Sequence, residues 1–234
     1  MTEFTTWRSL VDGAEISAIP DSAEFYWIND SFGNPWIDEI VDREMTADNL
    51  SESTVNDTNT ISNGGDFETA DVSEFESILD SGFAIEFVIA TTNNDDHIWG
   101  TIDGTPRIYI GHGSSIVDNS PNSDNGIFFG GRDSNGDFLS VQTEQQINDG
   151  SLTEVIINVS ATTSANDIDI LIDGVSANLV NQRDNDISLS DANLTECAFW
   201  GLNEIGDTTN DDSITADIVG WGLHNQTISE GSLI

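Results

Sequence analysis

Carboxylates are the chemistry this sequence offers most freely, and the run Trp36-Ile-Asp38-Glu39-Ile-Val-Asp42-Arg-Glu44 gathers four of them in a short space. Glycoside hydrolysis needs two such groups about 5–9 Å apart across the scissile bond. On a strand, Asp42 and Glu44 share one face, while Glu39 points away unless a bulge intervenes. That order does not suit an acid, a nucleophile and a helper carried together. In a chain with 43 acidic residues, such pairs also arise from composition alone. No residue is therefore assigned a catalytic role, and the chain is expected not to be an enzyme. His97, His112 and His224 are too far apart in sequence for a local zinc motif, and none pairs with a cysteine at ligand spacing. A Gly-x-Ser-x-Gly elbow is missing as well.

Cation binding is the more serious chemistry. Asp133-Ser-Asn135-Gly136-Asp137 sets oxygen ligands at alternate positions around a glycine, as half of an EF-hand loop does, but the distal Glu is missing. The same residues also read as an Asn-Gly hairpin turn that needs no ion. Asn93-Asn-Asp-Asp96 and Asp207-Thr-Thr-Asn-Asp-Asp212 are further oxygen-rich loops, and loops from one end of a sandwich could pool ligands. Ca²⁺ is the ion such a set would take; no specific metal ligands and no other cofactor are assigned. The single cysteine, Cys197, lies in Cys-Ala-Phe-Trp200, reads as a small buried hydrophobe and excludes an internal disulfide.

The elements that hold these residues are read from composition and period. The 234 residues carry 43 Asp plus Glu against 5 Lys plus Arg, a net charge of −38, and every basic residue is an arginine. Five scattered arginines supply neither a phosphate-backbone surface nor adhesion to an anionic leaflet, so nucleic acid and membrane are excluded as partners. No window approaches the ~18 apolar residues that span a bilayer. High charge can signal disorder, but six Trp, eleven Phe and apolar residues in runs describe a chain that buries a core.

Alternation of period two dominates. In Phe83-Ala-Ile-Glu-Phe-Val-Ile-Ala, residues Phe83, Ile85, Phe87 and Ile89 share one face, and Ala84, Glu86, Val88 and Ala90 the other. Segments beginning at Ala23, Ile98, Arg107, Ile127, Phe138, Glu154, Asp167, Ala198 and Ile214 follow the same rule, giving about ten short strands. Asp103-Gly104, Asn135-Gly136 and Asp173-Gly174 offer tight primed turns, which makes neighbouring strands antiparallel. One helical turn is expected at Ser73-Glu-Phe-Glu-Ser-Ile-Leu, with Ser73 and Glu76 as a capping box. The polar stretch from Asp48 to Thr60 reads as a loop or an exposed edge. No fixed-period repeat appears.

Taken in order, several pieces resemble the concanavalin A-like lectin and glucanase superfamily, in particular its laminin-G-like jelly rolls. Gly33-Asn-Pro-Trp36-Ile-Asp38 is similar to the family's Trp-x-Asp opening. Glu154-Val-Ile-Ile-Asn-Val followed by Asp167-Ile-Asp-Ile-Leu-Ile-Asp173-Gly174 is similar to its Asp-Gly-tipped hairpin. Phe199-Trp-Gly201, Ala216-Asp217-Ile-Val-Gly-Trp221 and Asn225-Gln-Thr-Ile-Ser229-Glu230 resemble its closing strands and tail. The resemblance implies an all-β, two-sheet antiparallel jelly-roll sandwich over residues 23–234, preceded by an N-terminal segment, 1–22. It also implies a carbohydrate- or protein-binding module. The glucanase branch carries a Glu-x-Asp-x-Glu strand, from which this chain departs.

The excess acid without lysine resembles proteins of extreme halophiles, meaning salt-in archaea and the viruses that infect them. The chain opens without a signal-peptide pattern, so it is expected to be made in a host cytoplasm and to leave as part of a virion. The expected role is a non-enzymatic structural protein of a halophilic archaeal virus. It would decorate the particle, contact other virion proteins as a homo-oligomer, and touch a host-surface glycan or glycoprotein. The alternative is a secreted-type glycan-binding module or glycoside hydrolase of a haloarchaeon. Self-repulsion falls only when salt shortens the screening length from ~10 Å to ~3 Å. The fold is thus expected to loosen in dilute buffer, and circular dichroism unchanged between ~3 M and ~0.1 M monovalent salt would contradict the halophilic reading.

Overall fold

A computed structural model describes residues 22–29, 32–64, 68–93, 96–101, 107–113, 126–160, 164–183, 185–189, 192, 194, 197–200 and 214–229. In chain order the strands are β1 (Ala23–Ile28), β2 (Trp36–Ile37), β3 (Glu44–Met45), β4 (Ser51–Val55), β5 (Thr58–Ser62) and β6 (Glu68–Ala70). They continue as β7 (Phe83–Thr91), β8 (Asp96–Thr101), β9 (Arg107–His112), β10 (Gly126–Arg132), β11 (Phe138–Gln146) and β12 (Thr153–Val159). The last are β13 (Ile168–Ile172), β14 (Val175–Ser176), β15 (Leu179–Arg183), β16 (Cys197–Phe199) and β17 (Ala216–His224).

An eight-stranded sheet runs β14-β13-β12-β7-β17-β5-β4, with β1 also pairing β17. A seven-stranded sheet runs β15-β11-β10-β9-β8-β16-β6, and β2 pairs β3 separately. The described pairings are antiparallel. The result is the all-β sandwich that the alternation predicts. Strand β17 splits its free edge: Asp217 and Ile218 pair with β5, then a register shift follows, and Gly220 to His224 pair with β1.

Phe83, Ile85, Phe87 and Ile89 of β7 face the second sheet, where they meet the core that also holds Ile108, Ile110, Phe129, Leu139 and Val141. Five tryptophans, Trp27, Trp36, Trp99, Trp200 and Trp221, lie in this layer. Cys197 is buried there too, as a small hydrophobe. The other face of the eight-stranded sheet is also covered. Tyr26, Ile28, Val88 and Val219 form one outer cluster, and Ala84, Ile156 and Leu171 another, with Ile228 against it.

Several local details differ from expectation. Residues Ser73–Asp80 form a 3-10 helix that buries Phe75, Ile78 and Leu79 as predicted. Its N-cap is Val72, however, and Glu76 accepts from the Leu194 N–H rather than closing a box with Ser73. Asp71 takes the capping work: hydrogen bonds from the Ser73 hydroxyl and then the Ser73 N–H hold its carboxyl below the usual range. A capping box does form at Ser164 and Asp167. Asp173-Gly174 makes the expected primed turn, with both φ angles positive. At Asn135-Gly136 only the glycine is left-handed, because five residues separate the paired Arg132 and Phe138. The polar stretch after Asp48 is an exposed edge hairpin, turned by Asn56 and Asp57 at φ 49° and 65°. Asp103-Gly104 lies outside the described residues.

Gly222 shows how the outer face of the eight-stranded sheet is fitted. It stands between Tyr26 and Glu86 in register, and the Tyr26 ring crosses it to donate to the Glu86 carboxylate at 3.1 Å. A Cβ on Gly222 would lie 2.1 Å from the ring. Gly222→Ala is expected to destabilise by about 1–3 kcal/mol through overpacking, and by less than half that in a Tyr26→Ala background, measured by denaturant unfolding in high salt. Equal costs in both backgrounds would refute this ring-over-glycine account.

On the seven-stranded sheet, His97 of β8 is 5 % exposed, and desolvation lowers its pKa to about 4. In the unfolded chain it titrates near 6.5. Its folded pKa is depressed, so its contribution to stability is complete above about pH 7 and is lost as pH falls through 6.5 toward 4. His97→Phe is therefore expected to lose about 2 kcal/mol less than the parent between about pH 7 and about pH 5. Identical pH slopes for the two proteins would overturn this.

Candidate functional site

The carboxylate run at Trp36–Glu44 forms a small hairpin of β2 and β3. Asp38, 1 % exposed, accepts backbone N–H groups from Ile40, Val41 and Arg43 at 2.9, 3.0 and 2.6 Å, so it closes the turn. Asp42 sits in that turn at φ 56°, and Glu44 is exposed on β3. They do not share a strand face. Trp36 lies beneath, stacked on Trp200 at 6.0 Å with 4° between the rings. This motif is architectural.

Asp133 is also consumed by its own loop. Its Oδ1 accepts from the N–H groups of Asn135 and Asp137 at 2.8 and 3.0 Å, and it is 5 % exposed. This is the hairpin alternative to an ion loop. Among the described residues no group of three or more His, Cys, Asp or Glu is placed to hold a metal ion. The loops at Asn93–Asp96 and Asp207–Asp212 lie partly or wholly outside the described residues.

Two histidines that sequence spacing left apart acquire partners or places. His224 of β17 joins Glu86 of β7 at 2.8 Å through Nε2 and Ser22 at 3.0 Å through Nδ1. With Nε2 donating to the carboxylate, Nδ1 accepts from the serine hydroxyl. All three side chains are buried, and Tyr26 also donates to Glu86. The chain of bonds resembles a hydrolase triad in residue types. Its placement within the sheet, with the carboxylate shared by Tyr26, makes it a tie between β1, β7 and β17.

A further arrangement lies on the outer face of the seven-stranded sheet, where His97, Phe128, Ser140 and Gln142 are 5 % exposed or less while Tyr109 and Phe138 are half-buried. One register row runs His97, Gly111, Phe128, Gln142; the next runs Gly100, Tyr109, Gly130, Ser140. Because Gly130 has no side chain, the Tyr109 and Phe138 rings lie down over it. A Cβ there would stand 3.3 Å from one ring and 3.5 Å from the other. The two rings meet edge to face at 6.1 Å and are half-buried, beside exposed Arg132. His97 packs 6.1 Å from Phe128 and 6.5 Å from Tyr109. Neither of its ring nitrogens, nor the buried Ser140 Oγ, has a hydrogen-bond partner among the described residues. Aromatic rings, glycine clearance and polar atoms without a partner among the described residues thus converge on one largely buried face, opening at Tyr109, Phe138 and Arg132. Sequence reasoning missed it because each strand contributes one or two residues and only the register assembles them.

A second surface is an open groove of about 400 Å³ beside the β4–β5 hairpin, lined by Asn29, Glu52, Ser53, Thr54, Asn59, Thr60 and Ile61. It is polar and has no aromatic ring. No helix among the described residues is long and apolar enough to cross a membrane.

No protein-family model matches the chain, and no curated protein sequence matches it. Solved structures do share its fold. A structure of botulinum neurotoxin type C, whose cell entry depends on interaction with two ganglioside molecules, superposes with a TM-score of 0.58 at 14 % identity. It covers 91 % of this chain and 50 % of the other. The binding domain of serotype D gives 0.60 at 13 % identity, covering 91 % and 50 %. The sialidase of Trypanosoma rangeli, in complex with 2,3-difluorosialic acid, gives 0.55 at 10 % identity, covering 97 % and 37 %. The chain spans about half the length of the neurotoxin structures and less of the sialidase. At these identities the likeness shows a shared all-β sandwich fold.

Proposed function

We propose that this chain is a non-enzymatic, concanavalin A-like carbohydrate-binding module, and that it acts on the surface of a halophilic archaeal virus particle by engaging a host glycan or glycoprotein. The observation that carries the binding role is the half-buried Tyr109 and Phe138 pair over Gly130, beside exposed Arg132, with Ser140 and His97 buried behind it. Sugar rings present apolar C–H faces that pack on aromatic side chains, and hydroxyls that a few fixed polar groups orient. Ganglioside and sialic-acid chemistry among proteins of the same fold supports the same reading. Asp38 and Asp133 are taken up by turns, and Asp42 and Glu44 are exposed without convergence, which favours binding over hydrolysis. The particle setting rests on composition: a charge of −38 without lysine suits brine.

Binding to a panel of immobilised glycans in ~3 M salt is expected for the parent protein and to weaken at least tenfold in Tyr109→Ala with an unchanged circular dichroism spectrum. In the same material, mass spectrometry of purified virions should find the chain in stoichiometric amounts. A panel with no bound glycan, or binding indifferent to Tyr109, would overturn the binding role; absence from virions would overturn the particle setting.

A further inference from the structure

Strand β17 ends at His224, and the chain that follows it lies back as a strap across the outer face of the eight-stranded sheet. Register puts His224, Ala84, Asn158 and Asp169 in one row over β17, β7, β12 and β13. Ile228 meets the third member of that row, two strands from where the strap departs, a distance of about 10 Å. Four residues reach about 13 Å, so the crossing is direct. Ala84, which lies between, has the smallest side chain of the row.

Asn158 holds Ile228 as a neighbouring strand would. Its Oδ1 accepts from the Ile228 N–H at 2.7 Å, and its Nδ2 donates to the Ile228 carbonyl at 2.9 Å. One side chain, 5 % exposed, thus satisfies both backbone groups of one residue. That pairing is indifferent to sequence. The Ile228 side chain is read separately, by packing on buried Ala84, Ile156 and Leu171. Backbone bonds for affinity and an apolar seat for selectivity are the two parts of a site for an extended peptide. On either side of Ile228, residues Asn225, Gln226, Thr227 and Ser229 are exposed, so the seat opens to solvent when the strap lifts. The link to β17 is pinned at Asn225, whose N–H donates to the Ser22 carbonyl at 2.9 Å and whose Nδ2 donates to Glu24.

We infer that Asn158, Ala84, Ile156 and Leu171 form a binding site for an extended peptide segment bearing a branched aliphatic residue, filled here by the chain's own strap, 225–229, and open to the same segment of a second copy by exchange. Exchange replaces each contact at the seat by an identical one, so its cost is confined to the link, which is why swapped elements are a low-cost route to association. A short tether holds its ligand at an effective concentration on the order of 1 mM. Dilute copies therefore keep their own straps, and copies packed at higher local density exchange them. The charge of −38 opposes that approach in dilute buffer, and molar salt relieves it by cutting the screening length to ~3 Å.

Two full-length variants divide the site. Ile228→Asp keeps the seat and spoils the strap; Asn158→Leu keeps the strap and removes both bonds from the seat. In ~3 M salt, a fluorescein-labelled peptide His-Asn-Gln-Thr-Ile-Ser-Glu, the sequence of 224–230, is expected to bind Ile228→Asp at least tenfold tighter than the parent, whose own strap competes. The same peptide with Asp in place of Ile should bind at least tenfold more weakly. Ile228→Ala, a milder change to the fold, should fall between the parent and Ile228→Asp. Above the peptide's measured Kd, sedimentation of Ile228→Asp mixed with Asn158→Leu should show a species of one copy of each that neither forms alone. Equal peptide affinity for the parent and both Ile228 variants, or no binding to any of them, would overturn the site. Peptide binding without the mixed species would overturn the exchange between copies.

Discussion

The packing of Phe199 against the first and last strands is the contact on which the sandwich depends. From β16 on the seven-stranded sheet its ring reaches Trp221 of β17 at 5.2 Å, Trp27 of β1 at 5.5 Å and Phe25 at 6.4 Å on the opposite sheet. Trp200 follows at φ 63°, a conformation non-glycine residues rarely adopt, and there it stacks on Trp36 while meeting Trp221 at 6.0 Å. Aromatic pairs of this kind contribute about 0.5–1.5 kcal/mol each beyond burial. One cluster therefore joins both sheets and the β2–β3 hairpin, in a chain whose single cysteine allows no internal cross-link. Indole N–H groups reinforce it: Trp27 donates to the Trp36 carbonyl and Trp36 to that of Ile28.

With the interior settled by aromatics, the charge is distributed over what is left. The eight-stranded sheet buries part of its outer face, and two of the acids there are drawn into side-chain hydrogen bonds. Glu86 accepts from Tyr26 and His224, and Asp217 from Thr60. On the seven-stranded sheet the half-buried rings of Tyr109 and Phe138 lie beside exposed Arg132. The net charge of the chain is a sum over surfaces of quite different character.

The long strands were legible in the sequence because β7, β10, β12 and β17 alternate between a packed face and its reverse, and that alternation survives any tertiary context. The short ones were not. β2, β3, β6 and β14 span two or three residues, too few to show a period, and β4 is polar because it is an exposed edge. Its turn uses Asn56-Asp57 where glycine is the stronger signal. The cap at Ser73 was misjudged for a related reason: Glu76 is bonded to the Leu194 N–H, a group chosen by tertiary proximity rather than by spacing. The candidate surface was hidden most completely. Tyr109, Gly130, Phe138 and Ser140 look like ordinary outward residues until register puts them in adjacent rows, and no single segment of the chain contains more than a fragment of the pattern.

Strand β17 has a consequence for how the molecule comes into being. It lies between β7 on one side and β1 and β5 on the other, and Ser22 meets His224 across 202 residues of sequence. Among the described strands, β1 has no sheet partner other than β17. During synthesis, then, the earliest of the described strands and the middle of the larger sheet both emerge before the strand that must sit between them. The edges of β1 and β7 that pair with β17 stay open until Ala216–His224 is available. Contacts so distant in sequence fold slowly and leave strand edges exposed to other chains in the meantime, and the dense acid of the remaining surface is then of use as mutual repulsion between incomplete copies.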